Sequence, residues 1–364
     1  MGNMFLDKIL SLPSRAEGEG EDLEALKGLP LVLYGAGWYA PYVRGFLARS
    51  GLEVAGCFVD DGFTSSAETV SFDEVRGKFG RFNVVIGFAD AGLARRKLAQ
   101  KDCGQVAGIY FFDVMGALLD YSIDRAYVER HKEEFGMVYE LLCDGLSRET
   151  YAAFLGSKLG AGPEGLCGVW RKDQYFPQDI FRLSDREVFV DGGAYTGDTL
   201  LAFIRKTKGE YERCYAFEPA PENLAKLNSL AEKQRFRDVS VIGKGLWSMA
   251  ETLRFAAAEG LAGSAISRAG NTSIAVDSVD NVAPDATFIK LDVEGAELEA
   301  LKGAAGTIKR NRPKLAVCLY HRPGDLFEIP LFLKSLVPEY RFYLRQHQPV
   351  SCELVLYALA RDPA

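Results

Sequence analysis

The stretch Val188-Phe-Val-Asp-Gly-Gly-Ala-Tyr-Thr-Gly-Asp-Thr199 decides the fold. Its apolar start predicts a buried parallel strand that ends at Asp191, and two adjacent glycines follow at once. A third glycine precedes an apolar run from Leu200 that predicts a helix. Glycines let a ligand approach the backbone, and ligands bind beyond the carboxyl ends of parallel strands. The stretch therefore predicts a βαβ unit that binds a nucleotide-like molecule.

An acidic residue ends the next predicted strand. Residues 214–217 are followed by Glu218 and Pro219, one βαβ unit after the glycine turn. A carboxylate at this place can accept both hydroxyls of a ribose. The Asp-x-Gly-x-x-x-Gly turn together with this glutamate suits S-adenosylmethionine better than a dinucleotide, whose usual turn is Gly-x-Gly-x-x-Gly. A βαβ turn without a ligand is the alternative.

Later strands of the same domain add further candidates. The strand predicted at 239–242 leads to Gly245 and Leu246, where small and apolar residues leave room for an adenine ring. A peripheral hairpin is predicted from strands at 251–255 and 272–276, with a glycine- and serine-rich loop at 260–267 between them.

Two strand tips carry the candidate catalytic residues. The strand predicted at 287–292 contains Lys290 and ends at Asp292, so alternation places both side chains on one face. A lysine inside a buried strand needs a carboxylate partner. The strand at 315–320 ends at His321, which faces the same crevice and is a candidate general base.

The acids beyond Asp292 are ambiguous. A helix is expected from Val293 onward, and Glu294 and Glu297 in its first turn would favour the helix dipole without any catalytic role. Asp292, Glu294 and His321 could offer metal ligands. Their spacing has no metal-binding signature, so no metal is predicted.

Composition limits the partners. The length of 364 residues predicts two domains. The formal net charge of −7 argues against nucleic acid as a partner. No apolar run reaches membrane-spanning length. Seven cysteines without Cys-x-x-Cys pairs predict reduced thiols in a cytoplasmic protein. The oligomeric state is left open.

The first 118 residues predict a smaller Rossmann-like α/β domain. A strand at 31–34 is followed by Gly35-x-Gly37-x-x-Ala40, and Asp60 follows the next strand at the dinucleotide-binding spacing. The turn favours a nucleotide or nucleotide-sugar site, and a turn kept only for packing is equally compatible. Residues 119–183 predict a mostly helical connection, which includes the aromatic segment Gln174-Tyr-Phe-Pro.

Taken together, the motifs of residues 184–364 resemble the FkbM family of S-adenosylmethionine-dependent methyltransferases. The resemblance rests on the turn at 189–199, Ala216-Phe-Glu-Pro219, Ile289-Lys-Leu-Asp-Val-Glu-Gly-Ala-Glu297, Leu301-Lys-Gly303 and Tyr320-His321. It implies a class I methyltransferase Rossmann-like seven-stranded sheet and O-methylation of a hydroxyl of a glycan, sugar or natural product. Family members often have Arg-His-Tyr where this chain has Arg345-Gln-His347, which leaves a substrate-side role of His347 in doubt.

The motifs and the resemblance together assign the site. Asp292 and His321 are the expected catalytic residues, and S-adenosyl-L-methionine is the expected cofactor. The residues expected to bind this cofactor are Asp191, Gly192, Gly193, Tyr195, Gly197, Asp198, Thr199, Glu218, Pro219, Gly245, Leu246 and Asp292.

Two other functions stay open. The second domain could be a degenerate cofactor binder in a nucleotide-sugar-binding or NAD-binding regulatory protein, although Glu218, Asp292 and His321 argue against degeneracy. An NAD-dependent oxidoreductase built on the first domain would lack the catalytic Tyr-x-x-x-Lys motif.

Overall fold

The computed structural model describes residues 2–12, 15–63, 69–115, 123–162, 164–256, 265–266 and 272–360. Within this part of the chain, an N-terminal parallel sheet, a group of helices and a larger C-terminal sheet follow one another. One large cluster of buried apolar side chains includes residues from all three. The fold is therefore α/β, as predicted.

The N-terminal sheet has the order β3-β2-β1-β4-β5, and all of its pairings are parallel. Its strands are β1 (Leu31–Tyr34), β2 (Val54–Phe58), β3 (Thr69–Val70), β4 (Phe82–Ile86) and β5 (Val106–Tyr110). The helices of this part are α1 (Gly2–Leu10), α2 (Arg15–Ala25), α3 (Ala40–Arg49), α4 (Phe72–Lys78) and α5 (Ala91–Leu98). The strand order reverses between β1 and β4, which is where open parallel sheets bind ligands.

Helices connect the two sheets. They are α6 (Arg125–Arg130), α7 (Lys132–Leu141), α8 (Gly145–Leu159) and α9 (Glu164–Val169). Asp124 and Asp144 accept backbone hydrogen bonds at the starts of α6 and α8, which satisfies amides that have no partner inside the helix. Helix α8 ends at Gly160 with a φ of 119°, a conformation that favours glycine.

The C-terminal sheet has seven strands in the described residues, and its central strands are parallel. In chain order they are β6 (Val188–Gly192), β7 (Arg213–Phe217), β8 (Val239–Ile242), β13 (Phe288–Leu291), β14 (Lys314–Cys318), β15 (Arg341–Gln346) and β16 (Leu354–Leu359). Their spatial order is β15-β16-β14-β13-β6-β7-β8, and β16 runs antiparallel to both of its neighbours. The predicted seven-stranded sheet is confirmed.

Helices and a small second sheet surround these strands. The helices are α10 (Asp198–Lys206), α11 (Pro221–Gln234), α12 (Val279–Val282), α13 (Glu297–Lys302), α14 (Ala305–Asn311) and α15 (Asp325–Leu336). The small sheet contains β9 (Gly245–Leu246), β10 (Glu251–Ala256), β11 (Ala265–Ile266) and β12 (Thr272–Asp277). It includes the predicted peripheral hairpin. The loop predicted at 260–267 lies outside the described residues except for β11.

One helix start was predicted wrongly. The helix expected from Val293 begins at Glu297, because the chain first makes a turn in which Glu294 and Gly295 have φ values of 55° and 90°. Both values lie in the left-handed region, which is incompatible with a right-handed helix.

The β15–β16 hairpin joins the parts of the chain. The Arg345 guanidinium lies 2.7 Å from Asp144 and 2.8 Å from Asp179, so it fastens the helical connection to the sheet. In the turn of the hairpin, the Ser351 amide donates to Asp113 after β5, and Lys158 of α8 donates to the Ser351 hydroxyl. The hairpin therefore contacts both the N-terminal sheet and the connecting helices.

The seven cysteines are all free. Among the described residues, no helix is both long enough and apolar enough to cross a membrane.

Candidate active site

The carboxyl ends of three neighbouring strands, β6, β13 and β14, form the centre of the site. The register of β13 on β6 places Lys290 opposite Asp191 and Leu291 opposite Gly192. Asp292 follows β13, and His321 follows β14 on its other side. The predicted catalytic residues are thus brought together, because parallel neighbours end at the same edge of the sheet.

A buried ion pair lies at the base of this edge. The Lys290 Nζ is 3.0 Å from Asp191 Oδ1 and also donates to the carbonyl oxygens of Gly192 and Gly193. Burial raises the pKa of Asp191, although the charge of Lys290 works in the opposite direction. Burial alone would lower the pKa of Lys290, but the charges of Asp191 and Asp292 raise it. The sequence predicted a carboxylate partner for Lys290, and the structure identifies this partner as Asp191.

Two phenols hold the Asp292 carboxylate. The Tyr175 hydroxyl donates to Oδ2 at 2.8 Å, and the Tyr320 hydroxyl donates to Oδ1 at 3.3 Å. Burial tends to raise the pKa of Asp292, but the nearby charges of Lys290 and His321 outweigh it and lower this pKa. Asp292 therefore stays ionised at the strand tip.

His321 is buried among carboxylates. Its Nδ1 lies 2.9 Å from Glu297 Oε1, and its Nε2 lies 3.5 Å from Asp292 Oδ1 and 3.4 Å from Glu294 Oε2. Burial by itself would lower the pKa of His321. The charges of Glu297, Asp292 and Glu294 outweigh burial and raise the pKa to about 10. The imidazole of this arrangement is a cation at neutral pH.

Three acids near His321, namely Glu294, Asp325 and Glu353, have raised pKa values. Burial raises the pKa of Glu294 to about 7 and, together with Glu297, that of Asp325 to about 8. Burial and the charge of Asp292 raise the pKa of Glu353 to about 7. Neutral pH therefore lies within the titration range of these carboxyl groups.

Glu353 and Tyr175 were not predicted as site residues. Gln174 donates to Glu353, and Tyr175 contacts Asp292, so the aromatic segment before β6 holds two carboxylates of the site. The Gln174-Tyr-Phe-Pro composition was the available signal, but sequence alone does not say which acids such a segment meets.

Four residues near this edge have positive φ angles although they are not glycine: Tyr175, Tyr195, Glu294 and Glu353, with φ between 47° and 63°. Such a conformation costs on the order of 1 kcal/mol per residue and is concentrated at functional sites. Their clustering here supports a functional role for the edge.

The glycines of the turn make room for the chain itself. A Cβ at Gly193 would collide with the Asp292 carbonyl oxygen, and one at Gly197 would meet Leu227 and Leu230 at under 3 Å. Their φ values are 73° and 92°. Close packing of β6 against β13 and α11 therefore explains both glycines, and their expected contact with the cofactor stays a prediction.

Glu218 closes the other side of the turn. Its side chain is buried and accepts from the Tyr195 amide at 2.9 Å and from the Ala220 amide at 2.8 Å. Burial raises its pKa despite these bonds. The backbone amides fix the orientation of the carboxylate, and further lone pairs remain for a ligand.

The remaining cofactor candidates lie around this turn. Leu246 packs against Gly192, and Pro219 lies near Gly245, while Asp198 and Thr199 begin α10. Their roles stay predictions. Together these residues outline a place for a nucleoside beside Glu218 and for its reactive group toward Asp292.

Both ring nitrogens of His347 are hydrogen-bonded within the protein. Its Nδ1 is 2.8 Å from the Arg171 carbonyl oxygen, and its Nε2 is 2.8 Å from the Tyr357 hydroxyl. The ring therefore donates to the carbonyl and accepts from the phenol. Burial lowers the pKa of His347 to about 4, so the ring is neutral.

The glycine turn of the N-terminal sheet differs from an ordinary dinucleotide site. Asp60, the expected ribose acceptor, already accepts from the Tyr34 hydroxyl at 2.8 Å and lies 2.5 Å from Lys97. Gly35 has a φ of 111°, and a Cβ there would meet Phe88. Gly37 has open space around the position of a Cβ.

The fold is that of the class I methyltransferases. The family model described as the methyltransferase FkbM domain matches residues 191–348, the part of the chain whose motifs resemble that family.

Three solved structures to which the chain is similar differ in how much of it they match. Methyltransferase FkbM from Methylobacillus flagellatus KT is 25% identical, with a TM-score of 0.71, and the match covers 97% of this chain and 95% of that one. An rRNA methylase from Streptococcus thermophilus is 15% identical, with 51% and 91% coverage and a TM-score of 0.33. A precorrin-6y C5,15-methyltransferase from Geobacter metallireducens GS-15 is 13% identical, with 53% and 94% coverage and a TM-score of 0.33. No curated protein matches the chain significantly.

The neutral state of His347 predicts a pH dependence of stability. Because its folded pKa is below the ordinary value of 6.5, its contribution is complete above pH 6.5 and is lost as the pH falls toward 4. This loss amounts to about 3 kcal/mol at most. Urea unfolding between pH 7.5 and 4 measures it. His347→Gln should unfold with a shallower pH dependence, and an unchanged dependence would show that His347 does not titrate in this way.

Proposed function

We propose that this methyltransferase transfers a methyl group from S-adenosyl-L-methionine to a hydroxyl group of a glycan, a sugar or a natural product. The observation that carries the proposal is the pair Asp292 and His321, whose side chains lie 3.5 Å apart at the strand tips next to the glycine turn. Glu218, on the neighbouring strand, supplies the carboxylate for the ribose.

The residues fit the cofactor in charge and shape. A carboxylate with fixed orientation at the end of β7 suits two ribose hydroxyls. Asp292 is an ionised group beside the place proposed for the positively charged sulfonium. The sulfonium, when bound, supplies a methyl group that is already activated, so the protein has mainly to align an acceptor oxygen with it.

The acceptor also has to lose a proton. The hydroxyl oxygen forms a bond to the methyl carbon while the carbon–sulfur bond breaks, and the bonding electrons remain on sulfur. The hydroxyl becomes strongly acidic as the new bond forms, so an ionised carboxylate can take its proton. We assign this step to Asp292. His321 was predicted as the base, but its raised pKa makes it a cation, and it holds the carboxylates in place.

Glu218→Ala tests the cofactor site. Two ribose hydroxyls would lose a charged acceptor, which weakens binding by about 1.5–3 kcal/mol for bonds to a charged group. Calorimetry with S-adenosylhomocysteine measures the change. Glu222→Ala, an exposed acid on α11, is the matched control and should bind like the parent chain. Equal affinity in the folded Glu218 variant would remove this residue from the site.

His321→Ala tests the catalytic pair. Methyl transfer should fall by up to about 10²–10⁴-fold, the usual share of a general base, because His321 positions the Asp292 carboxylate that takes the proton. S-adenosylhomocysteine should still bind. A screen of glycan, sugar and lipid-sugar acceptors with labelled S-adenosylmethionine identifies the acceptor to be used. Glu299→Gln, which replaces a surface acid paired with Lys302, is the control. Parent turnover in the His321 variant would exclude His321 from catalysis and leave Asp292 as the residue to test.

A nucleotide or nucleotide sugar at the N-terminal sheet is a second proposal. The observation that favours it is the open space at Gly37, beside the reversal of strand order between β1 and β4. The ion pair of Asp60 with Lys97 counts against an ordinary dinucleotide, because this carboxylate is already neutralised.

Gly37→Val tests this second site, because a Cβ there has no other atom within 4 Å and φ is not in the left-handed region. The variant should keep the parent melting temperature without ligand. Nucleotide sugars should raise the melting temperature of the parent chain but not of the variant, because a bound ligand stabilises the folded state. The absence of any shift across a panel of dinucleotides and nucleotide sugars would indicate that the turn serves packing alone.

We also propose a reducing compartment such as the cytoplasm, because all seven cysteines are free and four of them are buried.

A further inference from the structure

Three donor side chains meet beneath the strand tips. Asp292 follows β13, His321 follows β14, and Glu297 is the first residue of α13. One donor atom of each lies within 4.8 Å of a donor atom of the other two. One imidazole with two carboxylates is a ligand set that suits a divalent transition metal ion.

Several buried atoms of this group have no hydrogen-bond partner. Glu297 is fully buried and His321 is 7% exposed. Within the described residues, Glu297 Oε2 and both ring nitrogens of His321 have no directed hydrogen bond. The 2.9 Å approach of Nδ1 to Glu297 is thus a contact of charges rather than a well-aligned hydrogen bond. Buried polar atoms usually have a partner, so these atoms require an explanation.

The charges around the three donor side chains also favour a bound cation. Glu294 and Glu353 add two more carboxylates near Asp292. Lys290, the nearest lysine, is already engaged by Asp191 and by two carbonyl oxygens. In the absence of a metal, the proton on His321 balances part of this buried negative charge. A divalent cation bound by the three side chains would displace that proton and take its place as the balancing charge.

We propose that Asp292, Glu297 and His321 form a binding site for a divalent cation of the Mn²⁺ or Zn²⁺ type. The sequence spacing did not predict such a site, since the donors come from three separate elements. An ion bonded at about 2.1 Å needs its ligands within roughly 4.2 Å of one another, so donors that lie within 4.8 Å must move closer by at most about 0.6 Å. Asp292, whose side chain is 22% exposed, is the member with room to do so.

The place of the ion has a consequence for the reaction. It would lie beside the strand tip at which the acceptor hydroxyl is proposed to bind, and an acceptor oxygen could complete its coordination. This consequence rests on the proposed function, whereas the binding site itself does not.

Titration of the tag-free, chelator-treated full chain with Mn²⁺ tests the site without any need for activity. Each chain should bind about one Mn²⁺ ion, which removes that amount from the electron paramagnetic resonance signal of free Mn²⁺. Zn²⁺ should displace the bound Mn²⁺ and restore the signal, because its affinity for such ligands is higher. A chain that binds no Mn²⁺, and whose melting temperature does not respond to Zn²⁺, overturns the proposal.

Variants locate the ion. Asp292→Asn and His321→Gln should each weaken Mn²⁺ binding by about tenfold or more, because each removes a ligand. Glu299→Gln on the same helix as Glu297 should bind Mn²⁺ like the parent chain. Circular dichroism checks that each variant is folded. If both folded variants bind Mn²⁺ as tightly as the parent chain does, the proposed metal site is wrong. If the parent chain binds Mn²⁺ but transfers no methyl group to any acceptor, only the proposed function is contradicted.

Discussion

The buried pair of Lys290 and Asp191 is the interaction on which the site depends. It joins the ends of β6 and β13 in the buried interior, beneath the charged groups of the strand tips. Lys290 also binds the carbonyl oxygens of Gly192 and Gly193, so one ammonium fixes the last peptide groups before the glycine turn. Removing either partner would leave an uncompensated charge in the core, at a cost of about 3–5 kcal/mol.

This pair also shapes the electrostatics of the edge above it. The charge of Lys290 lowers the pKa of Asp292, whereas burial raises the pKa of Glu294 and Glu353 to about 7. Carboxyl groups that lie close together therefore differ in protonation at neutral pH. Such a division lets one acid stay ionised near a positively charged methyl donor while others exchange protons.

The sequence predicts the strands and the strand-tip residues well, since buried parallel strands are apolar runs whose ends meet at one edge. Asp292 and His321 were found in this way. Tyr175 and Glu353 were not, because Tyr175 is 117 residues before Asp292 and Glu353 arrives on an antiparallel hairpin. The role of the glycines at 193 and 197 was also unpredictable, because local sequence does not show that Asp292 and Leu230 occupy the space beside them.

The hairpin that carries Glu353 links the active-site edge to the rest of the chain. Its turn accepts a hydrogen bond from Lys158 and donates one to Asp113 beyond β5, while Gln346 donates to three carbonyl oxygens of the same turn. A short turn with this many bonds has little freedom to move alone. The position of Glu353 therefore depends on the N-terminal sheet and the connecting helices as well as on the C-terminal sheet.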